Sequence, residues 1–85
     1  MKYRLRWKRS ALDELTEMWT NAKSADRSAI TAGVNAIERE LAALAEKAGE
    51  SRSGAERILF HAPVAVLFET SEDDLEVVVL QVWRY

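Results

Sequence analysis

The chain has 85 residues, room for one domain, and a domain this short buries only roughly 60–65% of the surface its unfolded form exposes, which leaves a thin stability margin. It carries no cysteine and a single histidine, which excludes disulfide staples and thiolate or histidine-cluster zinc sites, so neither metal nor cofactor is expected. Twelve Lys and Arg against fourteen Asp and Glu give a net charge of −2 and no global cationic field to draw in nucleic acid.

With 48% hydrophobic and 31% charged residues the composition is that of a folding globular chain. No stretch reaches the ~20 apolar residues that span a bilayer, and the N-terminus lacks the apolar core of a secretory signal. A soluble protein of a reducing, cytoplasmic compartment with no membrane partner is the expectation.

Residues 2 to 8 alternate strictly, placing Tyr3, Leu5 and Trp7 on one face and Lys2, Arg4, Arg6 and Lys8 on the other, the pattern of a half-buried strand. Ser10 stands where an N-cap belongs, with Asp13 and Glu14 in the turn that follows, so a helix is expected to begin there. Leu12, Leu15, Trp19 and Ala22 recur at helical spacing and define its expected core stripe. The pattern breaks between Asn21 and Asp26, with Ser24 and Asp26 available as caps. It then resumes to Ala48 through Ile30, Val34, Ile37, Leu41 and Leu44, while Glu38, Arg39, Glu40 and Glu46 fall on other faces. Two helices joined so closely fold back as a hairpin. Gly49 supplies a stop, and Gly49 to Gly54 reads as a polar connection.

After Gly54 the apolar period changes to two: Arg57, Leu59 and His61 alternate with Ile58 and Phe60 until Pro63 ends the strand. Val64 to Thr70 reads as a further strand, Ser71 to Asp74 as a turn, and Leu75 to Trp83 as the last strand. The order strand–helix–helix–strand–strand–strand predicts an α+β fold with the helix hairpin on one face of a mainly antiparallel four-stranded sheet. Arg4 and Arg6 then point to the open face. Arg57 and His61 join them if Ile58 and Phe60 are the buried set. The last strand is apolar on both faces, which suits a central strand or one whose outer face a partner covers.

This order, with Gly49-Glu50-Ser51-Arg52, Arg57-Ile58-Leu59, Pro63 to Phe68 and the valine-rich run ending in Trp83-Arg84-Tyr85, resembles the RelE/ParE superfamily of toxins from type II toxin–antitoxin systems, which includes plasmid stabilisation proteins. The resemblance covers essentially the whole chain. It implies a growth-inhibiting toxin neutralised by a cognate antitoxin, as a homodimer or a toxin–antitoxin hetero-oligomer, with ribosome-bound mRNA or DNA gyrase as target. In the first case the protein is a metal-independent endoribonuclease; in the second it blocks gyrase without chemistry of its own; a third alternative is a non-toxic binding module of the same fold.

For the nuclease the resemblance implies a catalytic set of Arg57, Arg84 and Tyr85. Tyr85 matches the family's terminal tyrosine, and Arg84 stands where several members carry histidine. Cleavage by the RNA's own 2′-hydroxyl needs a base, cations at the phosphorane and an acid for the leaving oxygen. Two departures count against it: Pro63 occupies the position of an arginine in active nucleases, and a pI of 5.4 is low for a ribosome-dependent member. Candidate binding residues are Arg4, Arg6, Arg52, His61 and Trp83. Arginine suits phosphate, although alternating cations also guard a strand edge, and Arg52 and Arg57 have Glu50 and Glu56 nearby as surface partners. His61 is a potential general base or an ordinary edge residue. Trp7 and Trp19 read as core, Trp83 as a stacking platform or partner anchor.

Overall fold

A computed structural model describes residues 3–45, 47–53 and 55–85, of which 44 and 51–53 are described by their backbone. Expectations for Lys2, Glu46 and Gly54, and for the side chains of Leu44, Ser51 and Arg52, lie outside the described residues. The elements run β1 (Arg4–Trp7), α1 (Arg9–Asn21), α2 (Ser24–Leu44), β2 (Glu50–Ser53), β3 (Glu56–His61), β4 (Val64–Ser71) and β5 (Glu76–Arg84). They form a single sheet in the order β1-β5-β4-β3-β2. β1 pairs parallel to β5 and every other pairing is antiparallel. The expected α+β architecture is present, with β2 as an added edge strand in the stretch read as a polar connection.

The helices lie on one face. Their meeting with the sheet buries Ile30, Ile37, Leu41, Val64, Val66, Phe68, Val77 and Val79 essentially completely. Each such side chain contributes roughly 1.5–3 kcal/mol of burial free energy. Leu5 and Trp7 pack against this core as their alternation predicts, and the Trp7 indole N–H donates to Glu38 Oε2 at 3.0 Å. β5 satisfies both of its apolar faces through a bulge. Leu67 pairs with Gln81 but Phe68 pairs with Val79, so Leu80 is the extra residue and the core set runs Val77, Val79, Val82. α1 covers the part of β5 that β1 does not reach, and the Glu14 carboxylate accepts the Val82 backbone N–H at 3.3 Å.

Three local expectations are corrected. α1 begins one residue before Ser10, with Lys8 at the N-cap position, and α2 begins at Ser24 with Lys23 at its N-cap; neither has a side-chain cap bond. α2 also ends at Leu44 rather than Ala48. The buried stripe of α1 is Ala11, Leu15, Met18 and Ala22, while Leu12 and Trp19 are each 43% exposed. Ala11 is fully buried on the side of α1 that packs against the core, and α1 lies against β5. Two glycines hold the hairpin against the strands: a Cβ on Gly33 would lie 3.0 Å from the His61 carbonyl oxygen, and Gly49 combines φ of +68° with a backbone approach to Ile58 that leaves no room for one.

Candidate functional site

The sheet has one covered face and one open face, and the register decides which side chains each presents. On the open face Phe60, Ala65 and Trp83 stand in one row across β3, β4 and β5, because Phe60 pairs with Ala65 and Ala65 with Trp83. The next row is Ile58, Leu67 and Gln81, with the bulged Leu80 beside it. Beyond it come Glu56, Glu69, Val78 and Arg6, then Ser71, Glu76 and Arg4. The face therefore grades from aromatic to charged. Ala65 is fully buried beneath its aromatic neighbours, whereas Phe60 remains 45% exposed. Tyr85 donates its backbone N–H to the Pro63 carbonyl at 3.0 Å and sets its ring edge-on to Phe60, centroids 5.3 Å apart. At the charged end the Arg6 guanidinium lies 3.7 Å from Glu76.

The sequence candidates divide between the two faces. Arg4, Arg6 and Trp83 are on the open face, and Tyr85, 58% exposed, adjoins it. Arg57 and His61 are not, because Leu59 rather than Ile58 and Phe60 is the buried residue of β3. α2 decided this choice by packing over Leu59, and one position of phase moves every side chain of a strand to its other face. Arg57 turns toward the end of α2. Its Nε donates to the Ala48 carbonyl at 2.7 Å and a terminal nitrogen to the Gly49 carbonyl at 2.8 Å. These are carbonyls of the turn after a helix, which lack intrahelical donors, and the guanidinium fork satisfies two of them. His61 Nε2 lies 3.1 Å from Glu40 on α2. Arg84 pairs across β4 with Val64, a core residue, and so also faces the helices, where it meets Asp26 at 3.2 Å. Arg52 has its backbone in β2, while its side chain lies outside the described residues.

The expected catalytic set is thus split by the sheet, with Arg57 and Arg84 on the helix side and Tyr85 beside the open one. Chemistry at a phosphate needs its cations and its proton donor within hydrogen-bond reach of one reacting group, and these three are not gathered in that way. Phe60, Leu67 and Leu80 are open-face residues that sequence reasoning did not single out as functional. Their signal was present in apolar residues at both parities of β3, β4 and β5.

A concavity of about 260 Å³ lies between α1 and α2, lined by Leu15, Trp19, Ile30, Thr31 and Val34 among others. Trp19, expected in the core, instead lies under the Arg27 guanidinium at 4.5 Å and donates its indole N–H to Thr31 Oγ1 at 3.3 Å. Among the described residues no group of three or more His, Asp or Glu side chains is placed to hold a metal ion, and no helix among them is long and apolar enough to cross a membrane.

A helix hairpin on one face of this mixed sheet, with a parallel β1–β5 pair at one end, is a fold that the chain shares with solved RelE and ParE toxin–antitoxin structures. Three of them measure the likeness. The toxin–antitoxin complex RelBE2 from Mycobacterium tuberculosis superposes with a TM-score of 0.78 at 15% identity, over 100% of this chain and 93% of that one. The chromosomal ParDE toxin–antitoxin system from P. aeruginosa gives 0.69 at 20% identity, over 98% and 96%. The isolated RelE toxin of E. coli gives 0.65 at 16% identity, over 96% and 83%. No family model and no curated protein matches the sequence.

Proposed function

We propose that this chain, acting as one unit over residues 1–85, is the toxin of a type II toxin–antitoxin pair, and that it arrests growth by binding a protein target rather than by cutting mRNA. A cognate antitoxin neutralises it in a hetero-oligomer. DNA gyrase is the target that the resemblance to the ParE branch implies, and the setting is the bacterial cytoplasm.

Support for the toxin comes from the shared fold with complexes whose two components are a toxin and its antitoxin. The observation that carries the binding mode is the partition of arginines by the sheet: Arg57 and Arg84 are engaged with Ala48, Gly49 and Asp26 on the helix side, away from Tyr85. Cutting RNA requires cations around the scissile phosphate. The open face instead sets Glu56, Glu69 and Glu76 beside Arg4 and Arg6.

Purified protein added to a gyrase supercoiling reaction, and in parallel to a ribosome programmed with mRNA, tests the assignment. The reading predicts blocked supercoiling and intact message. Cleaved message with unaffected supercoiling would move the protein to the nuclease class, and vigorous growth of cells expressing it alone would remove the toxin assignment.

A further inference from the structure

α1 takes its packing from β5 and α2 from β3, β1 and β4, which leaves a furrow between the two helices. Leu15, Ile30 and Val34 line it beside Trp19. Two further hollows share Asn35 with it and carry it along α2 from Ser28 to Ala42, about 21 Å at the helical rise. α1, with 13 residues, is about 20 Å long, so one helix matches the furrow in length. Leu12 and Trp19 on α1 are each 43% exposed. Trp19 is already held by its bond to Thr31 and by the Arg27 guanidinium, which lowers the ordering cost of burying it against a partner. Large exposed apolar side chains beside an apolar furrow mark an interaction surface.

We infer that this helical face is an interface between two copies of the chain, with the two-fold axis along the furrow and α1 of each copy lying over α2 of the other. Charge complementarity selects that occupant and that axis. Asp13 and Glu17 are exposed carboxylates on α1, and Asp13 has only the solvent-screened Arg9 at 3.7 Å. Arg39 is exposed on α2 and forms no ion pair among the described residues. Thr16 and Asn35 line the same hollow, and the helices run in opposite directions. One turn back along α1, Asp13 is therefore level with Arg39, one turn on along α2. An axis parallel to the helices preserves those levels, so Asp13 of each copy meets Arg39 of the other, twice by symmetry. Leu12, Thr16 and Trp19 then meet their own counterparts beside the axis and leave water. An axis across the helices would instead set acidic α1 against acidic α1. The footprint, about 20 Å long and two helix diameters or about 20 Å wide, is small for a specific interface, so the dimer is weak, with an expected Kd of roughly 10–100 µM.

The interface goes beyond the toxin reading and holds or fails whether or not the chain arrests growth. Sedimentation of the full chain, from well below to well above that Kd, is expected to show monomer passing to dimer. Leu12→Glu, at an exposed position, keeps the melting temperature and is expected to abolish the dimer. Arg39→Glu is expected to weaken it several-fold, and Asp13→Lys in the same chain to restore it. The chain has no cysteine, so a single introduced thiol reports a single contact. Under mild oxidation Thr16→Cys is expected to give a disulfide-linked dimer, while Ser71→Cys on the open face stays monomeric. A wild-type chain that is monomeric throughout would overturn the inference and leave the furrow to a helix of another protein or to a small apolar ligand. A dimer that survives Leu12→Glu, or cross-linking through Ser71→Cys as fast as through Thr16→Cys, would overturn it too, by placing the contact on another face.

Discussion

The Arg84 guanidinium meets the Asp26 carboxylate at 3.2 Å on the helix side of the sheet, while the next residue, Tyr85, places its ring against Phe60. Adjacent residues of extended backbone point to opposite faces, so the two side chains leave the chain toward different sides of the sheet. Both partners of the ion pair are close to half exposed, at 43% and 46%. Solvent screens such a pair, and Arg84→Ala is expected to cost less than about 1 kcal/mol in urea unfolding.

Arg57 behaves differently. Its guanidinium satisfies two part-buried carbonyls, those of Ala48 and Gly49. Arg57→Ala leaves them without donors and is expected to lose about 1–3 kcal/mol of stability. Arg57→Lys, with a compact ammonium in place of the fork, recovers only part. A fully stable, inactive Arg57→Ala protein would instead mark this residue as one that acts on a ligand.

At Gly49 the backbone φ is +68° and any Cβ runs into the Ile58 carbonyl. Gly49→Ala therefore combines a left-handed penalty with displacement of β3, and a loss of roughly 2 kcal/mol or more is expected. A melting temperature within a degree or two of wild type would contradict this placement of the strand.

The exposed Trp19 and the half-buried Trp7 separate in the same way. Trp7→Phe deletes the indole bond to Glu38 and some core contact, with an expected cost of about 1–2 kcal/mol. Trp19→Phe removes an exposed bond to Thr31 and weakens the stacking on Arg27, and stays within about 1 kcal/mol of wild type. Equal losses would mean that Trp19 belongs to the core after all.

How far the sequence carried depends on how singular each pattern was. β1 has apolar residues at one parity only, so its two faces were read correctly. β3 has them at both parities, and it is the packing of α2 on β3, with Gly33 close to the His61 carbonyl and Leu59 buried, that leaves Arg57 and His61 facing inward. α1 carries two overlapping stripes one position apart, and the packing of α1 on β5, which no local pattern encodes, buries Ala11 and leaves Leu12 exposed. β2 is polar, and its pairing to β3 depends on main-chain hydrogen bonds that leave no apolar signature. The bulge at Leu80 explains why the last strand read as apolar on both sides. The candidate site was legible as a list of residues but not as an arrangement, because one residue of phase decides the side of the sheet on which an arginine acts.

Tyr85 stands alone among the expected catalytic residues in reaching toward the open face, so it carries the contrast between the two toxin readings. Its ring contact with Phe60 survives replacement by Phe, while its hydroxyl does not. The decisive measurement is growth arrest together with mapping of transcript 5′ ends after inducing, without an antitoxin, the wild-type chain and the double variant Arg84→Ala, Tyr85→Phe. A toxin that acts by binding arrests growth equally in both forms and leaves messages whole. New 5′ ends within coding sequences in the wild type, absent from the double variant that also grows freely, would contradict the account.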